Sequence, residues 1–127
     1  MLETELKKVY IVEDDRYFLD VYLAILNQME NIEVFYETVG DKGFDLIKAG
    51  DPDLCILDYK LPRMDGVAIC KELRKLPKFQ KIPIIIVSSS PIRGNKEEIF
   101  EAAGFDRWYE KPLNLQEFKA NIASLFN

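Results

Sequence analysis

LCILDYKLPRMDG, residues 54–66, is an apolar run that stops at an acid, Asp58, and turns into a loop carrying Pro62 and Gly66. Four consecutive apolar residues with no polar alternation read as a strand buried on both faces, the pattern of a parallel sheet. An unpaired carboxylate is costly to bury, so an acid at the end of such a strand has to be served by neighbours. VYIV (9–12) and IPIIIV (82–87) repeat the pattern, and each also ends in polar residues, Glu13-Asp14-Asp15 and Ser88-Ser89-Ser90. IEVFY (32–36) is a shorter, more alternating strand, and RWYE (107–110) a fifth strand that leads into Lys111 and Pro112.

Helical patterns fill the gaps. Phe18, Tyr22, Ile25 and Met29 recur at helical spacing between Arg16 and Met29. A short helix is expected from Asp41 to Ala49, stopped by Gly50-Asp51-Pro52, and another from about Val67 to Leu76. Asn95 with Glu98, and Asn114 with Glu117, read as helix starts capped by asparagine. The last helix is expected to bury Leu115, Phe118, Ile122 and Leu125. Strict alternation of strand and helix, five times over, predicts an α/β domain with a parallel sheet and helices on both faces. One domain is expected to fill residues 1–127, with its core at about 8–125.

The chain has 127 residues, 17 basic and 22 acidic, for a formal charge of −5. That balance disfavours direct nucleic-acid binding. Cys55 and Cys70, the two cysteines, form no CxxC motif and read as buried free thiols. No leader or membrane span is evident in the sequence, and a cytoplasmic location is expected. There is no histidine. Histidine-dependent nucleophile pairs and metal sites are thereby excluded, leaving carboxylates, hydroxyls and lysines to carry any chemistry.

In open α/β sheets, ligands bind at the carboxyl ends of the strands. Glu13, Asp14, Asp58, Ser88 and Lys111 all fall at such ends. Singly, each has a plain structural reading as a turn, cap or surface residue. Together they would converge on one crevice. Two carboxylates ~5 Å apart repel by about 3 kcal/mol at an effective dielectric near 20, so three need a cation or a raised pKa. Lys111 offers one positive charge, and an oxygen-only cluster suits a hard ion, Mg²⁺ with Mn²⁺ as a substitute. A carboxylate beside a metal, a lysine and a hydroxyl suits phosphoryl transfer.

VEDD, ILDYKLPRMDG, VSSS and EKP, in this order, resemble the receiver domain of two-component response regulators over roughly Lys8 to Leu125. The resemblance implies a doubly wound, flavodoxin-like five-stranded sheet in the order 2-1-3-4-5. It implies that Asp58 accepts a phosphoryl group from a sensor histidine kinase or a histidine phosphotransfer protein, and that the domain is not itself an enzyme. It also implies that Asp14 and Asp58 hold Mg²⁺ directly, Glu13 through water, with the backbone carbonyl of Lys60 as a further ligand. Ser88 matches the switch hydroxyl, Lys111 the phosphoryl-binding lysine, and Pro112 the proline after it, whose peptide bond is usually cis. Asp15 is the extra acid after the pair, with capping of the first helix as its alternative role. Trp108 stands where the family carries its switch aromatic; on its residues alone it reads equally as an indole at the edge of the core. Lys60 and Ser90 flank the site at positions that tune the phosphoryl lifetime, while Glu110 is expected to point outward.

The resemblance further implies a phosphorylation-dependent surface made by the fourth helix, fifth strand and fifth helix, meeting a downstream protein or a second copy of the chain, with no membrane partner. No output segment is expected after the last helix, so signalling by contact, relay to another histidine, and a place in a longer regulator are all open. Three rival readings compete with this one. A flavin-phosphate site would need a Gly- and hydroxyl-rich first loop, where this chain has EDDRY. An aspartyl-phosphate hydrolase would need an acid at 60, where this chain has Lys60. A receiver-like interaction module that takes no phosphate would be marked by loss of Asp58, the acidic pair or Lys111. All are present here, which leaves a site that is rarely used as the open form of that alternative.

Overall fold

The computed structural model describes residues 6–90 and 94–126. The expected domain limits, 1 and 127, fall outside the described residues. Five strands, β1 (Lys7–Val12), β2 (Ile32–Glu37), β3 (Leu54–Asp58), β4 (Ile84–Ser88) and β5 (Arg107–Glu110), alternate with five helices. These are α1 (Arg16–Asn27), α2 (Gly40–Ala49), α3 (Gly66–Arg74), α4 (Lys96–Ala103) and α5 (Leu115–Leu125), with a short 3₁₀ turn at Pro77–Phe79. All four strand pairings are parallel and the order is β2-β1-β3-β4-β5, as the resemblance implied. This is the flavodoxin-like, doubly wound arrangement.

Strand alternation sends successive side chains to two cores. Val9 and Ile11 of β1, Leu54 and Ile56 of β3, and Ile85 and Val87 of β4 pack with Leu19, Tyr22, Leu26, Phe118 and Ile122 of α1 and α5. Tyr10, Val12, Cys55, Leu57, Ile84 and Ile86 pack on the opposite face, with Ile47 of α2, Ile69, Cys70 and Leu73 of α3, and Ala103 of α4. The same alternation, carried to the strand ends and one residue beyond β1, explains where the site side chains go. Glu13 follows Ile11 in period 2 and Asp58 follows Ile56, so both lean toward α1 and α5. Ser88 follows Ile86 and leans toward α3 and α4.

The helix starts follow from their caps. Asp15 accepts from the Tyr17 and Phe18 amides, Asp65 from Ala68, Asn95 from Glu98 and Asn114 from Glu117. Asp15 is therefore used as the cap of α1. β4 begins at Ile84 rather than Ile82 because Pro83 has no N–H for the ladder; its carbonyl accepts from Cys55. α1 ends at Asn27, with Gln28 as C-cap, two residues short of the expected Met29. Leu115 departs further from expectation. It is the first residue of α5 and 49% exposed, since no element among the described residues covers that turn, whereas Phe118 and Ile122 are buried.

Candidate functional site: an acidic cluster with one lysine

The carboxyl ends of β1, β3, β4 and β5 meet as expected. The carboxylate oxygens of Glu13, Asp14 and Asp58 lie within 4.8 Å of one another, the one such group of potential metal ligands among the described residues. Glu13 is fully buried, Asp58 nearly so, and Asp14 exposed at the mouth. From the loop after β5, the Lys111 Nζ lies 3.0 Å from Glu13 Oε1 and 3.5 Å from Asp58 Oδ1. The Lys111–Pro112 peptide bond is cis. Ser88 is buried at the end of β4, where its Oγ accepts from the Ser90 amide at 3.0 Å. The Lys60 side chain is exposed in the loop just after β3. Glu110, the last residue of the edge strand β5, is exposed.

The backbone around these residues is tied strand to strand. The Tyr59 amide donates to Val87 O and the Lys111 amide to Ser88 O, each at 2.8 Å. The loop after β3 is fastened to α2: the Gly40 amide donates to Pro62 O at 2.9 Å, and Arg63, at φ 74°, pairs with Asp41 at 2.7 Å. Gly40 must be glycine here, since a Cβ would run into the Met64 carbonyl. Gly66 is similarly constrained, because a Cβ would meet the Asp58 carbonyl. α3 thus rests directly on the backbone of the central acid.

Electrostatics make the site unsettled without a further cation. Burial first, and then the Glu13 carboxylate, push the Asp58 carboxyl up to about 7; Lys111 opposes that rise and Asp14 adds to it. One ammonium serves two buried carboxylates. A hard divalent ion fits the donor set, which is all oxygen and includes an exposed acid open to solvent.

Two residues that the sequence presents only as helix core also reach the site. Tyr22 donates its hydroxyl to Glu13 Oε1 at 3.2 Å, and the Phe18 ring lies 3.9 Å from the Lys111 Nζ. Burial and the nearby Glu13 carboxylate raise the Tyr22 pKa, which keeps the phenol a donor. The sequence does hold a signal for this: a buried tyrosine needs a partner for its hydroxyl. Trp108 faces the other core, packed against Tyr59 at 5.5 Å and Phe105 at 5.8 Å. Its indole N–H is buried without an acceptor among the described residues.

With this geometry in place, comparison with known proteins identifies the family. Residues 9–123 match the response regulator receiver domain. The chain belongs to that family. It is 32% identical over 122 residues to the phosphate regulon transcriptional regulatory protein PhoB of Rhizobium meliloti, covering 94% of this chain and 52% of PhoB. The chain thus spans about half of that regulator's length. It is 27% identical over 118 residues to the polar-differentiation response regulator DivK of Brucella ovis, covering 93% of this chain and 94% of DivK. Its fold matches the receiver domain of the sensor histidine kinase PA1611 from Pseudomonas aeruginosa at a TM-score of 0.83 and 21% identity, over 96% of this chain and 99% of that one. That receiver holds a magnesium ion coordinated in its active-site cleft. No helix among the described residues is long and apolar enough to cross a membrane.

Proposed function

We propose that this receiver domain is a Mg²⁺-dependent phosphoryl acceptor that takes its phosphoryl group from a phosphohistidine of a sensor histidine kinase or a histidine phosphotransfer protein. The observation that carries the reading is the convergence of three carboxylates and one lysine at the strand ends, with Asp58 at the centre. In the transfer, an Asp58 carboxylate oxygen attacks phosphorus, the P–N bond of the donor breaks, and the imidazole leaves as the aspartyl acyl phosphate forms. Lys111 is placed to take up charge on the transferred oxygens, and Ser88 to turn its hydroxyl toward them. Asp14 and Asp58 would hold Mg²⁺ directly, with Glu13 acting through water and the Lys60 carbonyl as a further ligand, and the bound ion would supply charge neutralisation. Magnesium in the cleft of the PA1611 receiver supports that assignment.

The domain receives one group and changes shape; it is not an enzyme turning over a substrate of its own. The phosphorylated state is read on the face of α4, β5 and α5, by a downstream protein or a second copy, and Trp108 is the aromatic placed to respond. The domain works in the cytoplasm, in keeping with two buried free thiols. Its formal charge of −5 gives no basis for direct nucleic-acid contact by this domain.

The test is intact-protein mass after incubation with acetyl phosphate, with and without Mg²⁺, on wild type and Asp58→Asn. The expected result is a gain of one base-labile phosphoryl group that requires both Mg²⁺ and Asp58. Folded protein that stays unlabelled by both acetyl phosphate and histidine-kinase donors would instead favour an interaction module that takes no phosphate.

A further inference from the structure

Lys111 is not free to choose between the two carboxylates. Its Nζ is nearer Glu13 than Asp58, 3.0 against 3.5 Å, and two side chains of α1 act on that choice. Phe18 presents its ring to the ammonium, and Tyr22, one helical turn later, donates to the same Glu13 oxygen that the lysine contacts. Glu13 is fully buried, and its Oε2 accepts from the Asp15 amide at 3.2 Å. If the lysine swings toward a group on Asp58, the Tyr22 hydroxyl is the protein donor that remains on Oε1 among the described residues. A carboxylate oxygen with no donor in a buried site is costly, so the hydroxyl makes the lysine's departure easier. The ring does the opposite, since the cation loses the ring's negative face when it moves away.

We infer that Phe18 and Tyr22 are positioning residues with opposed effects: Phe18 holds Lys111 at Glu13, while Tyr22 frees it to reach the phosphoryl group on Asp58. The first helix thereby sets how readily the acyl phosphate is engaged. Tyr22 also packs on Phe118 of α5, which stacks edge-on against Tyr109 of β5. The balance is thus linked to the α1–α5 side of the domain, away from Trp108.

This inference rests on the phosphoryl-acceptor reading, and its test separates the two. The probe is Mg²⁺ with beryllium trifluoride, a phosphoryl analogue, titrated calorimetrically into wild type, Phe18→Leu and Tyr22→Phe. Phe18→Leu should bind about fivefold tighter, the size of one cation–π contact, and Tyr22→Phe about tenfold weaker, the size of one hydrogen bond to a charged group. Phe18→Leu removes ring packing and Tyr22→Phe removes only a buried hydroxyl while keeping the ring on Phe118, so a purely structural role would weaken binding in both or leave it unchanged. Either of those results overturns the inference while leaving the phosphoryl reading intact. A folded wild type that binds no analogue, and takes no label from acetyl phosphate or histidine-kinase donors, overturns the phosphoryl reading and this inference with it. An independent readout is the Lys111 methylene proton resonances, expected to be shifted upfield by the Phe18 ring and to lose that shift in Phe18→Leu. An unchanged shift would also overturn the role of the ring.

Discussion

The two ends of the sheet handle charge in opposite ways. At the amino end of β4 and β5, Arg74 donates to the carbonyls of Phe79, Ile82 and Gly104 at 2.6 to 2.8 Å, and pairs with Asp106 at 3.1 Å. Asp106 in turn accepts from the Ile84 amide. One guanidinium meets several acceptors in a fixed fork, and little is left unmatched. At the carboxyl end, three carboxylates face one ammonium, and burial drives the central one toward neutrality. The first end is arranged to hold still. The second is arranged to accept something.

Breaking the quiet end should cost the most. Arg74→Ala leaves three carbonyls without their side-chain donor and Asp106 with only the Ile84 amide, and should lower stability by about 3 kcal/mol in denaturant unfolding. If the contrast is sound, the variant that remains folded still takes label from acetyl phosphate.

Removing the central acid should act in the other direction. With its folded pKa raised to about 7, Asp58 binds a proton in the native state at pH values where the unfolded chain has released it. Its contribution to stability is therefore full below about pH 4 and is lost as pH rises toward 7. In a chelator, Asp58→Asn should be more stable than wild type at pH 7.5 by about 2 kcal/mol, discounted because Asp58, Glu13 and Lys111 respond together. The variant should also lose most of the wild type's pH dependence over that window, and Mg²⁺ should narrow the difference in melting temperature.

The smallest effect on the site is expected where α2 meets the loop after β3, at the carboxyl end itself. Gly40→Ala forces the Pro62–Met64 backbone away from α2 and should cost about 2 kcal/mol of stability, with Mg²⁺ affinity reduced only about threefold because the loop carrying Lys60 shifts. Calorimetric titration of Mg²⁺ measures this directly. An unchanged affinity would show that the loop is placed by β3 alone.

What the sequence discloses about these regions is just as uneven. The buried strands announce themselves as continuous apolar runs, and the acids and lysine at their ends can be listed from the sequence alone, because strand ends are legible in one dimension. Arg74 is not legible in that way. At the end of α3 it reads as a solvated arginine, and its three carbonyl targets lie 5, 8 and 30 residues away. Phe18 and Tyr22 share one helical face by their spacing, but periodicity reports which face is inward and not what waits at the edge of the core. Leu115 misleads for the complementary reason: its spacing matches Phe118 and Ile122, but no partner element among the described residues reaches that first turn.

The chain's single tryptophan, Trp108, has its indole N–H buried without an acceptor among the described residues, beside Tyr59, which directly follows Asp58. An indole proton in that setting gives one isolated resonance in an amide correlation spectrum, with no second indole to overlap it. The resonance should move when a hydrogen-bond acceptor approaches. The protein thus carries a native reporter, with no added probe group, on the face opposite α1, able to time events there independently of those at Lys111.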